Sequence, residues 1–372
     1  MARILIDGRW MKDSGIGRYV ENLTLEVVKQ DTKNTYIILV KKGEAGCLPL
    51  PKGKVEYVET DIAWYTPQEQ IALPKIIETH KPDLVHFTNF NIPLGYRKPF
   101  VVTIHDLTLL KYKSIRGGLL APFTYRLKDV VMRHVLKTAV KRSKLIFTPS
   151  QFVAEDVARQ YRCDLEKIIV THNAADGLTQ TGRVNLAKYG IDKPFLLCVG
   201  NPYPHKNIER LLKAFAQLVK NEQVAYQLVV VGRDNEFMAR HKKLVKKLKL
   251  EDRVVFPGYV SDAELAGIYQ KATLYVFPSL SEGFGIPGLE AMKYGVPVAS
   301  SNATCLPEIL GDAAAYFDPK NTQDIAKVIG ELMQDEVRRK QLVSLGYKQV
   351  KKYAWSTSAK ELIRGYNKAL KG

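Results

Sequence analysis

Two carboxylates flank a glycine-rich turn in Glu282-Gly283-Phe284-Gly285-Ile286-Pro287-Gly288-Leu289-Glu290. A strand-like run at 274–277 precedes the turn, and a helical pattern through Leu289, Met292 and Lys293 follows it. A strand-to-helix turn of this kind exposes backbone N–H groups around Gly285, where an anion is stabilised. Glu282 stands before the turn and Glu290 inside the helix. One carboxylate could hold hydroxyls of a sugar and the other those of a ribose, with a diphosphate between them. The spacing by itself is better explained by a capped helix carrying a solvated glutamate at each end. The glycines and Pro287 between the carboxylates argue against that reading, because a plain surface helix has no use for them.

Other segments have chemistry of the same kind. Gly200-Asn201-Pro202-Tyr203-Pro204-His205-Lys206-Asn207 follows a strand and places Lys206 at a helix start, where a cation and exposed amides together suit a diphosphate. Arg233, after the next strand, offers a second cation, and Gly258-Tyr259-Val260 offers backbone groups for a nucleobase. Near the N-terminus, Asp7-Gly8 leads to Ser14-Gly15-Ile16-Gly17-Arg18, where Gly15 and Gly17 let backbone approach a phosphate or sugar. A tight turn without ligand explains that segment equally well, and the full dinucleotide fingerprint is missing. His105 closes a strand in Ile104-His105-Asp106. It could bond a sugar hydroxyl or a developing charge, although a lone histidine is more often satisfied by a nearby backbone group.

These residues need a scaffold, and the pattern around them supplies one. Short β-branched runs at 3–7, 36–40, 55–59, 84–87, 100–104, 145–148 and 168–170 alternate with helical patterns at 17–29, 67–79, 123–142 and 151–161. A stretch at 173–193, poor in apolar residues, reads as a linker. The alternation resumes with strands at 195–200, 227–231, 254–256, 274–277, 298–300 and 315–317. Helices separate them at 207–220, 236–248, 262–270, 286–294 and 322–333. This is α/β patterning with parallel sheets. It predicts domains at 1–175 and 190–354, with a C-terminal helix at about 355–372 crossing back onto the first. Two such domains facing each other would place the site in a central cleft.

The chain has 372 residues, 46% of them hydrophobic and 25% charged, as expected of a soluble two-domain protein. No apolar run reaches bilayer length. The N-terminus reads as a strand rather than a signal peptide, and the four dispersed cysteines suggest a reducing cytoplasm. The net charge of +18 implies an anionic partner: nucleic acid, anionic lipid or a phosphorylated substrate. Base is concentrated between Lys111 and Lys144, where only Asp129 opposes ten cations, and again from His241 to Lys249. On a helix at 123–142, Phe123, Leu127, Val130, Val131 and Val135 share one side, with Arg126, Arg133, Lys137 and Lys141 elsewhere. That helix is either a packed surface helix with a solvated basic side or a peripheral contact with an anionic membrane.

Taken in order, these segments resemble the retaining glycosyltransferases of family 4. The resemblance rests on Ser14-Gly15-Ile16-Gly17-Arg18-Tyr19, His105-Asp106, Pro204-His205-Lys206-Asn207 and the run from Pro278 to Met292, and it covers nearly the whole chain. It implies the GT-B fold, with two Rossmann-like domains. It also implies a donor-sugar role for Glu282, a ribose role for Glu290, a diphosphate role for Lys206, and places for His105 and Gly15 beside the sugar and diphosphate. Gly283, Phe284 and Ile286 belong to the same donor-binding turn. Many members carry an Arg shortly before the Lys; here Asn201 and His205 occupy that stretch, so Arg233 or an Arg of the first domain would have to replace it.

The expected reaction is metal-independent hexosyl transfer from a GDP- or UDP-linked donor to a glycan or lipid-linked acceptor. No Asp-x-Asp pair occurs for a divalent ion, so Lys206 and the amides near Gly285 would take the leaving-group charge. The Phe-Gly-Ile-Pro and Pro-His-Lys-Asn contexts resemble mannosyltransferases and favour GDP-mannose. The expected location is the cytoplasm, peripheral on the inner face of the plasma membrane. The competing readings are a nucleotide-sugar epimerase on the same fold and a nucleic-acid-binding protein. The latter is disfavoured because the basic run is not interleaved with aromatics.

Overall fold

The computed structural model describes residues 1–12, 14–51, 53–112, 121–175, 184–221 and 225–371. Lys113 and Arg116 of the basic stretch, the side chains of Ser14 and Phe123, and residues 176–183 of the expected linker lie outside the described residues. The chain forms two units. Among the described residues, one holds 1–110, 121–173 and 354–371, and the other holds 111–112 and 174–353.

The first unit is built on seven parallel strands: β1 (Arg3–Asp7), β2 (Thr35–Lys41), β3 (Val55–Thr60), β4 (Leu84–Phe87), β5 (Phe100–Thr103), β6 (Ile146–Thr148) and β7 (Ile168–Val170). Their order is β3-β2-β1-β4-β5-β6-β7. The central strands are covered on both faces, which is why they read as unbroken apolar runs: Ile4, Leu5 and Ile6 are at most 1% exposed. Leu73 and Ile77 of the helix Pro67–Thr79, and Val153 and Val157 of Gln151–Tyr161, pack into the core. Thr66 and Ser150 cap these two helices by accepting from the N–H groups of Glu69 and Val153. The helix Trp355–Lys371 packs against Ser14–Gln30 in the same unit. Its Gly365 lies against the Phe147 ring, where an added Cβ would sit 2.6 Å away.

The second unit repeats the plan. Its strands β8 (Phe195–Val199), β9 (Gln227–Val231), β10 (Val254–Gly258), β11 (Leu274–Phe277), β12 (Val298–Ser301) and β13 (Ala314–Phe317) are all parallel, in the order β10-β9-β8-β11-β12-β13. Ile208, Leu211, Leu212, Phe215 and Leu218 form the buried face of the helix Ile208–Lys220. In each unit the strand order reverses beside the first strand, between β1 and β4 and between β8 and β11. Outside the carboxyl ends of strands at such a reversal, open parallel sheets leave a crevice for ligands.

Two local expectations change. The first helix begins at Ser14, not near Gly17, so Gly15 and Gly17 sit in its first turn. Lys206 ends a 3-10 turn, Pro204–Lys206, and Asn207 with φ of 58° separates it from the helix that starts at Ile208. Paired prolines hold the tight turn, and Asn tolerates the left-handed conformation that joins it to the helix.

Candidate active site

In the second unit the site is assembled on the loops that leave β8, β9, β10 and β11. Lys206 Nζ lies 2.6 Å from Glu282 Oε1, with the two side chains 18% and 12% exposed. Burial raises the Glu282 carboxyl, but Lys206 and then His205 lower it more, and it stays below the usual carboxylate range. Glu282 is thus an anion at neutral pH, as an acceptor for sugar hydroxyls must be. Lys206 lies along the backbone of Gly200, whose φ is +152°; an added Cβ there would meet Lys206 Nζ at 3.8 Å. Gly232 is needed for a different reason: its Cβ would fall 2.3 Å from Gly200 O, so only glycine lets the ends of β8 and β9 close together.

The loop carrying Glu282 is pinned on both sides. Thr304 Oγ1 accepts from the Glu282 N–H at 3.1 Å, and Cys305 Sγ donates to the Glu282 carbonyl at 3.2 Å. The Leu280 N–H donates to His205 O at 2.7 Å, and Asn207 Nδ2 donates to Pro278 O at 2.9 Å and to Pro319 O at 2.7 Å. The sequence reading missed Asn207, Thr304 and Cys305 as supports. The one signal was the pair of proline-rich turns, whose carbonyls need donors from elsewhere.

Past Glu282, Gly285 takes φ of 102° at the N-cap of the helix Ile286–Lys293, with Pro287 in its first turn. A Cβ on Gly285 would strike Leu306 Cδ2 at 2.8 Å, so packing and dihedral both require glycine. Phe284 and Ile286 are buried, and Phe284 meets the Tyr353 ring edge-on at 5.4 Å. Glu290 is 2% exposed and accepts from Tyr269 OH at 3.1 Å. Tyr269 is a further residue the sequence left unnoticed; it stands on a helix with nothing to mark it but its burial.

Arg233 and Tyr259 leave β9 and β10 at the same edge, with the guanidinium 5.6 Å from the ring centre. Both are exposed, whereas Val260 is buried. Asn201 is half-buried at the end of β8, and its carbonyl accepts from the Tyr203 N–H at 2.7 Å. The structure thus gathers Asn201, Lys206, Arg233, Tyr259, Val260, Glu282, the turn Gly283–Ile286 and Glu290 onto one end of the second sheet.

In the first unit, His105 follows β5. Its Nε2 bonds Thr88 O at 2.9 Å, and its ring meets Tyr19 edge-on at 4.9 Å. Burial pushes its pKa below the ordinary value, against the Thr88 carbonyl and Asp106. A neutral ring donating from Nε2 has Nδ1 as an acceptor. Gly15 faces open space, whereas a Cβ on Gly17 would sit 2.9 Å from Trp10 O, which gives Gly17 a packing role.

The basic helix Ala121–Arg142 corrects an expectation. Leu127, Val130 and Val131 are 63%, 64% and 52% exposed, while Val135 is buried with Leu136, Ala139 and Val140. Leu127, Val130 and Val131 therefore share the outer face with Arg126, Lys137 and Lys141, and Arg133 is half-buried, paired to Asp129 at 2.9 Å. The sequence pattern puts Leu127, Val130 and Val131 on one side with Val135, but only Val135 faces the core and the other three face outward. Among the described residues no helix is long and apolar enough to cross a membrane.

Known proteins place this architecture in a class. HepE of Anabaena, in a crystal structure with UDP and glucose, matches the fold with a TM-score of 0.74 at 18% identity, over 99% of this chain and 100% of that one. The fold is that of the GT-B glycosyltransferases. Residues 184–349 match the family described as glycosyl transferases group 1, and residues 14–176 match glycosyltransferase family 4. O-antigen chain mannosyltransferase B of Escherichia coli is 30% identical over 302 residues, 78% of this chain and 75% of its own. O-antigen chain mannosyltransferase RfbU of Salmonella typhimurium is 31% identical over 277 residues, 73% of this chain and 71% of its own. The chain belongs to the family 4 glycosyltransferases, and it is a hexosyltransferase.

Proposed function

We propose that this enzyme transfers mannose from GDP-mannose to a glycan or lipid-linked acceptor, with retention of anomeric configuration and without a metal ion. The observation that carries the reading is the Lys206–Glu282 pair at the β8–β11 reversal, with Glu290 one helix turn past Gly285 on the same end of the sheet. The mannosyltransferase relatives support the choice of sugar and favour transfer over epimerisation.

The mechanism follows from where charge develops. When the anomeric C–O bond breaks, negative charge collects on the departing diphosphate, and Lys206 and the amides at Gly285 and Ile286 stabilise it. Glu282 holds sugar hydroxyls and Glu290 holds the ribose. Retention follows if the acceptor attacks the face that the leaving group vacates, with the diphosphate taking the acceptor's proton. Glu282 is therefore a binding carboxylate rather than a nucleophile; its ion pair with Lys206 at 2.6 Å suits that role.

The exposed face of Ala121–Arg142 supports a peripheral contact with an anionic membrane on the cytoplasmic side. Leu127, Val130 and Val131 would enter the interface while Arg126, Lys137 and Lys141 meet headgroups, each cation adding about 1 kcal/mol. A thermal-shift screen of nucleotide sugars tests the donor: a ligand at 100 times its dissociation constant adds about 2.7 kcal/mol to apparent stability. GDP-mannose should give the largest shift, and product analysis with and without acceptor should show transfer only with acceptor. No shift with any nucleotide sugar would overturn the reading.

A further inference from the structure

The Lys206 ammonium already has an anion beside it. Glu282 Oε1 sits 2.6 Å from Nζ, and the segments bearing both residues are tied down. Glu282 is fixed through Thr304 and Cys305, and Lys206 through the bond from its own N–H to Tyr203 O at 2.9 Å. The backbone under both residues is held and the two side chains are already paired in a largely buried position, so a phosphate arriving at Lys206 Nζ meets the Glu282 carboxylate at close range. The cost of that meeting depends on what accompanies the phosphate. A nucleotide sugar offers hydroxyl donors to the carboxylate, whereas a bare nucleoside diphosphate offers none and brings one more negative charge.

Building on the donor reading above, we propose that Glu282 is the residue by which the site tells the loaded donor from the spent nucleotide. It competes with the terminal phosphate for Lys206 Nζ, and only the hydroxyls of a bound sugar offset that competition. The same carboxylate that helps to hold the donor then helps to expel the nucleoside diphosphate once the sugar has left. A site built from Lys206 and the helix N-terminus alone would retain the product, because the more highly charged species binds such a site better.

Calorimetric titration of the full chain with GDP and with GDP-mannose tests this, repeated with UDP and UDP-glucose, for wild type, Glu282→Gln, Lys206→Gln and the double variant. Glu282→Gln should bind the nucleoside diphosphate about threefold to tenfold more tightly and the nucleotide sugar more weakly, so the two affinities move in opposite directions. The gain for the diphosphate should shrink in the Lys206→Gln background, as a coupled pair requires. Unchanged or weakened diphosphate binding in Glu282→Gln, with melting temperatures matching wild type, would overturn the inference and leave the donor reading standing. So would an equal gain in both backgrounds, which would mean that the two groups do not compete. If wild type binds none of the four nucleotides, the donor reading falls and takes this inference with it.

Discussion

Lys206 reaches back across Gly200 to meet Glu282, so two residues separated by 76 positions form one charged unit, with Nζ and Oε1 2.6 Å apart. A cation so placed needs no reorganisation when charge builds on a leaving diphosphate. Lys206→Ala should therefore lower turnover by roughly 100- to 1,000-fold, the range found for removing one preorganised group that stabilises transition-state charge. The melting temperature should change far less. Steady-state kinetics beside a thermal melt checks this, and turnover equal to wild type would remove Lys206 from the mechanism.

Arg9 supplies a different kind of prediction. It is 1% exposed, bonds both oxygens of Asp7 at 2.8 and 2.7 Å, and reaches Glu69 Oε1 at 2.8 Å. Asn91 Nδ2 and the Tyr65 N–H complete Glu69, at 2.7 and 2.9 Å. Removing the shared cation leaves two buried carboxylates without it. Arg9→Met should cost about 3–5 kcal/mol in chemical denaturation, as breaking a buried pair does. A loss below about 1 kcal/mol would show that the network contributes no more than a surface pair.

His86 gives a dependence on pH. Its ring lies between Tyr366 OH, 2.7 Å from Nδ1, and Thr103 Oγ1, 2.8 Å from Nε2. Burial, then the neighbouring His105, brings its pKa down to about 3 from 6.5. Between those values the unfolded chain binds the proton that the folded chain refuses. Stability should fall as pH drops through that window, by up to about 1.4 kcal/mol per pH unit from this group. His86→Gln should start less stable at pH 7 but show a shallower acid slope. Equal slopes in urea titrations at several pH values would exclude His86 as a source.

The outer face of Ala121–Arg142 carries apolar and basic groups together, so binding to vesicles should have two components. Sedimentation with anionic liposomes should fade as salt rises, because screening weakens the contribution of Arg126, Lys137 and Lys141. A remainder resistant to salt should depend on Leu127, Val130 and Val131, and Leu127→Ser with Val131→Ser should abolish it. No binding at low salt would end the membrane proposal.

Much of the fold is written plainly in the chain. Strands covered on both faces appear as short apolar runs, and Arg3–Asp7, Leu84–Phe87, Gln227–Val231 and Leu274–Phe277 fall where those runs are. The turn between Glu282 and Glu290 is legible because Gly285 and Pro287 have few uses elsewhere. Periodicity could not say which of two apolar sides of a helix is covered, and so Leu127 and Val130 were grouped with Val135. Nor could spacing reveal that Lys206 and Glu282 touch, or that Arg9 is buried, since a buried ion pair and a solvated charge look alike in sequence. Supports such as Asn207 and Thr304 become visible only once the loops they join stand side by side.

A crystal structure of the enzyme with GDP-mannose would show where the donor sits. The diphosphate should lie within hydrogen-bond reach of Lys206 Nζ and the Gly285–Ile286 amides, with the sugar hydroxyls on Glu282 and the ribose on Glu290. A nucleotide lodged away from these three side chains would contradict that placement.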